Sequence, residues 1–207
     1  MKPLRSYSLD PKLGRAQLKE FSKLLASKSI LKERKDILPF FKARSDLSLL
    51  IANYIPRTSQ ADRLSHEYQI CGDFVADLVV GDSSTNHYLL VEFEDGRADS
   101  VFKRKGSKAT PDWAPRFEGA YSQLVDWLWK LEDMRSTADF TNTFGSRRAT
   151  FHGLIVIGKD MALSKQEADR LRWRLDRTLI DSNAVPSVSF NELTDSMDHW
   201  LTAFHKV

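Results

Sequence analysis

The amino-acid sequence predicts an α/β fold with a mixed β-sheet flanked by helices. Apolar and polar residues alternate over residues 73–80 and 89–94, a pattern typical of the two strands of a half-buried hairpin. Residues 151–157 form a short, apolar, β-prone run, as expected for a buried central strand. Apolar side chains recur at helical spacing over residues 117–131. The resulting order (helices, hairpin, helix, strand, helix, strand, helix) is that of an α/β sandwich.

The N-terminal part of the chain, residues 12–60, is predicted to be helical. Two sets of apolar residues recur there at helical spacing: Leu18, Phe21, Leu24 and Leu25, and then Leu47, Leu50, Ile51 and Tyr54. Pro39 interrupts the region between them, so that piece should be bent or short. We therefore divide the chain into an N-terminal helical segment, residues 1–60, and a second domain, residues 61–207.

The predicted hairpin has one apolar and one acidic face. The apolar face comprises Phe74, Ala76, Leu78, Val80, Leu89, Val91 and Phe93, and the other face carries Asp73, Asp77, Glu92 and Glu94. A register shift of one residue would move one apolar set to the wrong side. In the register that unites the apolar sets, Asp77 lies diagonally near Glu92, roughly 5–8 Å away. Such carboxylates repel one another unless a cation lies between them, as in a Mg²⁺ site for phosphate chemistry.

The remaining elements follow from local signals. Residues 95–115 and 134–149 are predicted to be loops, and Pro115 suits the first turn of the helix that separates them. Ser164 and Glu167 form a capping box that opens the next helix. Residues 185–190 are predicted to be a strand, and Asn191 is predicted to cap the last helix.

Composition narrows the class of protein. The 207 residues suffice for one substantial core, and the single cysteine, Cys71, excludes an internal disulfide and fits a reducing compartment. No apolar run is long enough to span a bilayer, so we expect a cytoplasmic protein without a membrane partner. The net charge of +3 argues only weakly for nucleic acid, but Lys103, Arg104 and Lys105 form a basic run just after the hairpin.

Asp77, Glu92 and Glu94 have two interpretations. They could form a solvated hairpin face, because antiparallel sheets often expose one side. However, the acidic residues gather at one end of the hairpin, and the helix that follows needs a surface to pack on. The spacing Asp-x14-Glu-x-Glu also resembles the acidic core of the PD-(D/E)xK nucleases. In those enzymes the third side chain is commonly Lys, whereas Glu94 occupies that position here.

A longer pattern resembles the Shedu family of bacterial antiphage nucleases. It comprises His66-Glu-Tyr-Gln-Ile70, Gly72-Asp-Phe74, Asp77, Leu90-Val-Glu-Phe-Glu94, Phe102, Gly106, Ala120-x-x-Gln123-x-x-Asp126-Trp127, Gly153-Leu-Ile-Val-Ile-Gly158 and Phe190-Asn-Glu-Leu193. The resemblance implies a PD-(D/E)xK core and a Mg²⁺-dependent (or Mn²⁺-dependent) DNA endonuclease of antiviral defence, often oligomeric. Members often carry Glu-x-Glu, so Glu94 is compatible with the family.

The resemblance also assigns roles. Asp77 and Glu92 would hold the metal ion, with the backbone carbonyl of Phe93 as a third oxygen ligand. Glu67 would add an acidic group, although an ordinary solvated Glu is an equal alternative. Gln123, which flanks the apolar stripe of its helix, would point toward the acidic face.

The positive charge that Glu94 cannot provide could come from Lys103 or Lys105, or the run 103–105 could simply bind phosphate in a loop. Because the usual lysine is missing, a non-catalytic nucleic-acid or protein-binding module on the same fold remains the alternative to a nuclease.

Overall fold

The computed structural model describes residues 2–56, 58, 60–104, 106 and 109–207. The helices are α1 (Pro11–Ser27), α2 (Leu38–Lys42), α3 (Ser45–Leu50), α4 (Pro115–Met134), α5 (Ala138–Phe144), α6 (Lys165–Arg177) and α7 (Phe190–Trp200). The strands are β1 (Arg5–Ser6), β2 (Arg63–Ile70), β3 (Phe74–Asp82), β4 (His87–Phe93), β5 (Phe102–Lys103), β6 (Asp112–Trp113), β7 (Thr150–Val156), β8 (Leu179–Ile180), β9 (Asn183–Ala184) and β10 (Ser187–Val188). A π-helical turn, Glu33–Ile37, leads into α2, a 3₁₀ turn, Ile51–Tyr54, follows α3, and another π-helical turn, Leu201–His205, follows α7.

Six strands form a mixed sheet in the order β1-β2-β3-β4-β7-β10. The pairs β1–β2, β2–β3 and β3–β4 are antiparallel, whereas β4–β7 and β7–β10 are parallel. The predicted hairpin is therefore confirmed, and the predicted central strand lies beside β4 as β7. The mixed α/β class predicted from the sequence is confirmed.

Helices cover both faces of the sheet. One core packs α1, α3 and α7 against Leu78, Val80 and Val91, and we call it the first core. The second core packs α4 and α5 against Val79 and Leu90. Since both faces are covered, the acidic side chains of β3 and β4 are not on an open sheet surface.

The side-chain alternation of β3 is interrupted at Asp77. Leu78 packs in the first core, whereas Ala76, two residues earlier, packs in the second core. On β2, opposite this point, Glu67 has a positive φ of 48°, a left-handed conformation rarely adopted inside a strand. The prediction that Phe74, Ala76, Leu78 and Val80 share one face is thus wrong, because alternation holds only while the backbone stays regularly extended.

Several element predictions are wrong for local reasons. The strands β1 and β2 were not expected, so the hairpin is part of a longer antiparallel sheet. Residues 134–149 are not all loop, because α5 buries Phe140 and Phe144, which are four residues apart. The predicted loop over residues 95–115 contains the short hairpin β5–β6.

The caps of the last two long helices differ in how well they were predicted. Ser164 and Glu167 form the expected capping box of α6. At α7, however, Ser189 is the N-cap and bonds with Glu192, whereas Asn191 lies inside the first turn and bonds to Asp160. The strand before α7 is shorter than predicted, so the helix begins earlier.

The segment of residues 1–60 packs directly on the rest of the chain. β1 pairs with β2 through Arg5 and Leu64, and α1 packs against α7. Arg15 on α1 donates to the carbonyl oxygen of Val207 at 2.7 Å. Among the described residues, no helix is both long and apolar enough to cross a lipid bilayer.

Candidate active site

A cleft of about 830 Å³ lies at the end of the β3–β4 hairpin that carries the acidic residues. All five side chains predicted to be catalytic line it: Glu67, Asp77, Glu92, Glu94 and Gln123. The lining also includes Glu33, Arg34 and Lys42 from the N-terminal segment, and Trp127 from α4. The cleft therefore brings together residues from β2, β3, β4, α4 and the segment before the sheet.

Asp77 and Glu92 lie on neighbouring antiparallel strands. Leu78 and Val91 are the last paired residues at this end of the β3–β4 ladder, and Asp77 and Glu92 are the next residue on each strand. Both line the cleft. Asp77 Oδ2 accepts a hydrogen bond of 2.8 Å from the backbone N–H of Phe93, which ties its carboxylate to β4.

Gln123 holds the second carboxylate. Its Nε2 atom donates to Glu92 Oε1 at 2.5 Å, and Glu92 is only 5% exposed. The helix α4 packs on the sheet through Phe117, Ala120 and Leu124, which turns the neighbouring Gln123 toward the hairpin. The structure thus places Gln123 as the sequence predicts.

Glu94 is paired with a residue that sequence reasoning missed. Arg116 Nη1 donates to Glu94 Oε2 at 3.0 Å and lies 3.5 Å from Asp95 Oδ2. Arg116 stands in the first turn of α4, immediately after Pro115. The sequence did contain a signal for this pairing. Arg116 is a basic residue at the start of a helix whose apolar stripe has to pack on the sheet, and this position brings it near the acidic strand ends.

Glu33 and Lys42 were also missed. The N–H of Glu33 donates to Asp95 Oδ1 at 2.9 Å, which anchors the π-helical turn at the cleft. Lys42 forms an ion pair with Glu67, the residue in the left-handed conformation on β2. The signal in the sequence was the set of charged residues around the bend predicted at Pro39.

The carboxylates of the cleft are held in an unfavourable electrostatic environment. Burial raises the pKa of Asp77 and of Glu92 well above the ordinary carboxyl range, and their acidic neighbours Glu33 and Glu94 raise both further. Burial also raises the pKa of Glu94, although Arg116 opposes that rise. A cation bound between these groups would offset both the lost hydration and the repulsion.

The donor set fits a hard divalent cation in its chemistry. In the part of the chain that the structure describes, Asp77 and Glu92 each have only one side-chain oxygen in a hydrogen bond, so the other is available to the cleft. Oxygen ligands of this kind are those that Mg²⁺ prefers. The described residues nevertheless contain no group of three or more His, Cys, Asp or Glu side chains arranged to hold a metal ion. Any ion would need backbone or water oxygens to complete its coordination.

The described residues of the basic run after the hairpin, Lys103 and Arg104, do not line this cleft. Lys103 and Arg104 are exposed, and Lys103 lines a separate depression of about 260 Å³ that also contacts Arg116. Arg104 lies 3.9 Å from Glu167 on α6. Lys105 lies outside the described residues. The structure therefore brings Arg116, rather than Lys103, to Glu94.

Together, the mixed sheet and the clustered carboxylates define an α/β protein with an acidic cleft. The family model described as Shedu protein SduA, C-terminal, matches residues 31–194, so the chain belongs to this family. The matched range includes every residue of the cleft discussed above. No curated protein matches the chain.

Proposed function

We propose that this protein is a Mg²⁺-dependent DNA endonuclease, built on a PD-(D/E)xK core and acting in antiphage defence. The observation that carries the proposal is the convergence of Asp77, Glu92 and Gln123 in one cleft. Membership of the Shedu family supports the defence role. A cytoplasmic location and a homo-oligomeric assembly belong to the same proposal.

In this proposal Asp77 and Glu92 hold the metal ion, together with the backbone carbonyl of Phe93. A bound Mg²⁺ would supply positive charge to the scissile phosphate and lower the pKa of the attacking water. The hydrogen bond from Gln123 fixes the orientation of Glu92, and the N–H of Phe93 fixes that of Asp77. Both carboxylates are thus positioned before metal or substrate binds. Binding energy is therefore not spent on ordering these side chains.

Arg116 and Lys42 replace the lysine that the strand motif lacks. Arg116 neutralises Glu94 beside the metal ligands, so Glu94 does not repel an incoming phosphate. Lys42 lines the cleft, where it pairs with Glu67, the further acidic group of the site. Lys103, Arg104 and Lys105 would contact the DNA backbone.

The proposal is tested with Asp77→Asn and Glu92→Gln, using Asp99→Asn as the control at an exposed carboxylate. Cleavage of plasmid and linear DNA in Mg²⁺ or Mn²⁺ should fall by at least about 100-fold in the first two variants and stay unchanged in the control. Mg²⁺ should raise the melting temperature of the wild type and of the control, but not of the Asp77→Asn and Glu92→Gln variants. Without metal, both variants should be as stable as the wild type, or more stable by on the order of 1 kcal/mol, because repulsion is relieved. Undiminished cleavage in both would refute the assignment.

A non-catalytic nucleic-acid or protein-binding module is the second candidate. It is favoured by Glu94 at the usual lysine position and by the lack of three clustered metal-binding side chains among the described residues. This alternative predicts DNA binding that weakens with salt, without cleavage. It also predicts no heat on titration with Mg²⁺ or Mn²⁺, which separates it from the nuclease.

A further inference from the structure

Asp95 is a buried carboxylate at the acidic end of β4. It follows Glu94 in the chain and is only 5% exposed, yet it is not one of the residues that line the cleft. A buried carboxylate is costly unless charged or hydrogen-bonding partners compensate it. The partners of Asp95 therefore indicate what the residue does.

The carboxylate of Asp95 joins two segments that are distant in sequence. Its Oδ1 atom accepts a hydrogen bond of 2.9 Å from the N–H of Glu33, at the start of the π-helical turn. Its Oδ2 atom accepts one of 3.2 Å from Lys32 Nζ and lies 3.5 Å from Arg116 Nη1, in the first turn of α4. One side chain thus ties the N-terminal segment and α4 to the end of β4.

The backbone around Asp95 is itself held on several sides. The carbonyl oxygen of Asp95 accepts hydrogen bonds from the N–H of Gly158 at 3.2 Å and from Ser100 Oγ at 2.9 Å. Gly96 and Leu31 exchange two backbone hydrogen bonds, of 2.9 and 3.1 Å. The Asp95 carboxylate is therefore a fixed point against which its two longer cationic partners are oriented.

Two of these contacts reach the cleft. Glu33 lines the cleft, and so does Glu94, to which Arg116 donates at 3.0 Å. The same Arg116 atom, Nη1, therefore lies between the carboxylates of Glu94 and Asp95. With Lys32 also bonded to Asp95, the group contains two carboxylates and two cationic side chains, whose formal charges cancel. Pairing with two carboxylates restricts the guanidinium more than pairing with Glu94 alone, since charge-assisted hydrogen bonds are strong and directional.

We propose that Asp95 is a positioning residue of the candidate active site, which fixes the Arg116 guanidinium beside Glu94 and holds Glu33 at the wall of the cleft. The inference rests on the proposed nuclease function. Asp95 does not line the cleft, so it affects a bound phosphate only through these partners. Its contribution is to geometry, because catalytic groups lose much of their effect when displaced by about 1 Å.

The test is Asp95→Asn in the full chain. Asparagine keeps one oxygen that can accept from the N–H of Glu33, but its amide nitrogen cannot accept from Lys32 or Arg116. We expect the cleavage rate at saturating DNA and Mg²⁺ to fall roughly tenfold. Affinity for DNA should be unchanged or higher, because a negative charge is removed. Asp99→Asn removes a charge from the same loop at a largely exposed position and should leave the rate unchanged.

A double variant separates a positioning role from a merely structural one. Because Asp95 acts through Arg116, Asp95→Asn should slow cleavage little further in an Arg116→Gln background. Independent, multiplicative losses of rate in the double variant would overturn the proposal. An unchanged rate in Asp95→Asn alone would also overturn it.

The proton–nitrogen spectrum of the Arg116 side chain tests the same contact without cleavage and without metal. In the wild type, a guanidinium paired with two carboxylates should give separate Nη–H signals, assigned by their absence in Arg116→Gln. Asp95→Asn should merge or weaken these signals. A single averaged signal in the wild type would contradict the proposal, and this measurement decides the matter even if Asp95→Asn does not fold. If the wild type did not cleave DNA, the nuclease proposal would fail, whereas these spectra would still show whether Asp95 holds Arg116.

Discussion

Each buried carboxylate of the acidic cleft lowers the stability of the fold, yet several carboxylates lie together there. A buried carboxylate without compensation destabilises a fold by several kcal/mol. Here the N–H of Phe93, the amide of Gln123 and the guanidinium of Arg116 compensate Asp77, Glu92 and Glu94 in turn. Each compensating group fixes one carboxylate, so the cleft is held in one geometry. Groups whose pKa values are strongly shifted cluster at functional sites.

Arg116→Gln should test the role of the guanidinium beside Glu94. Without it, Glu94 would add its charge to the metal ligands and repel phosphate. We expect DNA cleavage at saturating Mg²⁺ to fall roughly tenfold to 100-fold, with no change in the circular dichroism spectrum. Lys103→Gln is the matched control, because Lys103 is basic and lines the same depression as Arg116, whereas the hydrogen bond to Glu94 comes from Arg116.

The relative effects of these two variants on cleavage decide which residue is assigned as the catalytic cation. If Lys103→Gln impaired cleavage more than Arg116→Gln, the catalytic cation would come from the basic run instead. Lower affinity for DNA, with an unchanged rate at saturation, is the result expected of Lys103→Gln if that run binds only the DNA backbone.

His66 should make stability depend on pH. Its Nε2 atom lies 2.9 Å from Ser48 Oγ. Burial, together with the nearby charges of Arg5 and Lys42, lowers the pKa of His66 from 6.5 to about 4, against the opposing effects of the Phe41 backbone and Glu67. The unfolded chain therefore binds a proton first as pH falls, so stability is full above pH 6.5 and declines down to about pH 4.

Urea unfolding at a series of pH values between 7 and 4 measures this effect. The stability of His66→Gln should decline less steeply than that of the wild type, because glutamine does not titrate. His199→Gln, at an exposed position, is the control and should follow the wild type. Parallel profiles for the wild type and His66→Gln would contradict the expectation.

At the scale of the elements, the position of one cap sets where a helix begins. Ser189 accepts from the N–H of Glu192 at 3.1 Å, and the Glu192 carboxylate accepts from the N–H of Ser189 at 2.7 Å. The same Ser-x-x-Glu pattern predicts the capping box at Ser164. At Ser189 the sequence does not predict a cap, because residues 185–190 resemble a strand. Only Ser187–Val188 pair with β7, so the next residue is free to cap α7.

Ser189→Ala should lower the free energy of unfolding by about 1 kcal/mol, since it removes this cap. Asn191→Ala should cost less, because the bonds of Asn191 with Asp160 are at an exposed site. Ser164→Ala, which removes the equivalent cap of α6, provides the reference value. Chemical denaturation of the three variants checks the order, and a larger loss for Asn191→Ala would restore the original cap assignment.

At the scale of the whole molecule, the N-terminal helices complete the first core. Phe21 on α1 is fully buried, with its ring centroid 5.1 Å from Phe41 and 6.1 Å from Phe190. The segment also delivers Glu33 and Lys42 to the cleft. Residues 1–60 therefore contribute to both the stability and the candidate active site of the remaining chain.

Removal of residues 1–60 should leave the rest of the chain unable to fold, and Phe21→Ala should destabilise the full chain by about 3–5 kcal/mol. Near-ultraviolet circular dichroism and proton–nitrogen correlation spectra of the truncated chain measure the first effect. Leu13→Ala, at a largely exposed position of the same helix, is the control for the second. A folded, cooperative fragment of residues 61–207 would instead establish the division of the chain at residue 60.

Much of the acidic cleft could be predicted because its carboxylates are close in sequence. Asp77 and Glu92 lie on adjacent antiparallel strands, where residue alternation and register decide which side chains meet. Gln123 was predictable because its helix shows a strong apolar stripe that has to face the sheet. The weaker predictions concern β1, β2 and α5, whose patterns are short or interrupted.

The amino-acid sequence by itself determined the α/β class, the hairpin, the main helices and the acidic residues, since each depends on a periodicity of a few residues. The packing of the chain decided that Arg116, Glu33 and Lys42 join those residues, because they come from elements distant in sequence. It also decided the left-handed conformation of Glu67 and the switch of faces at Asp77. Those features depend on contacts between strands and between layers, which no local pattern encodes.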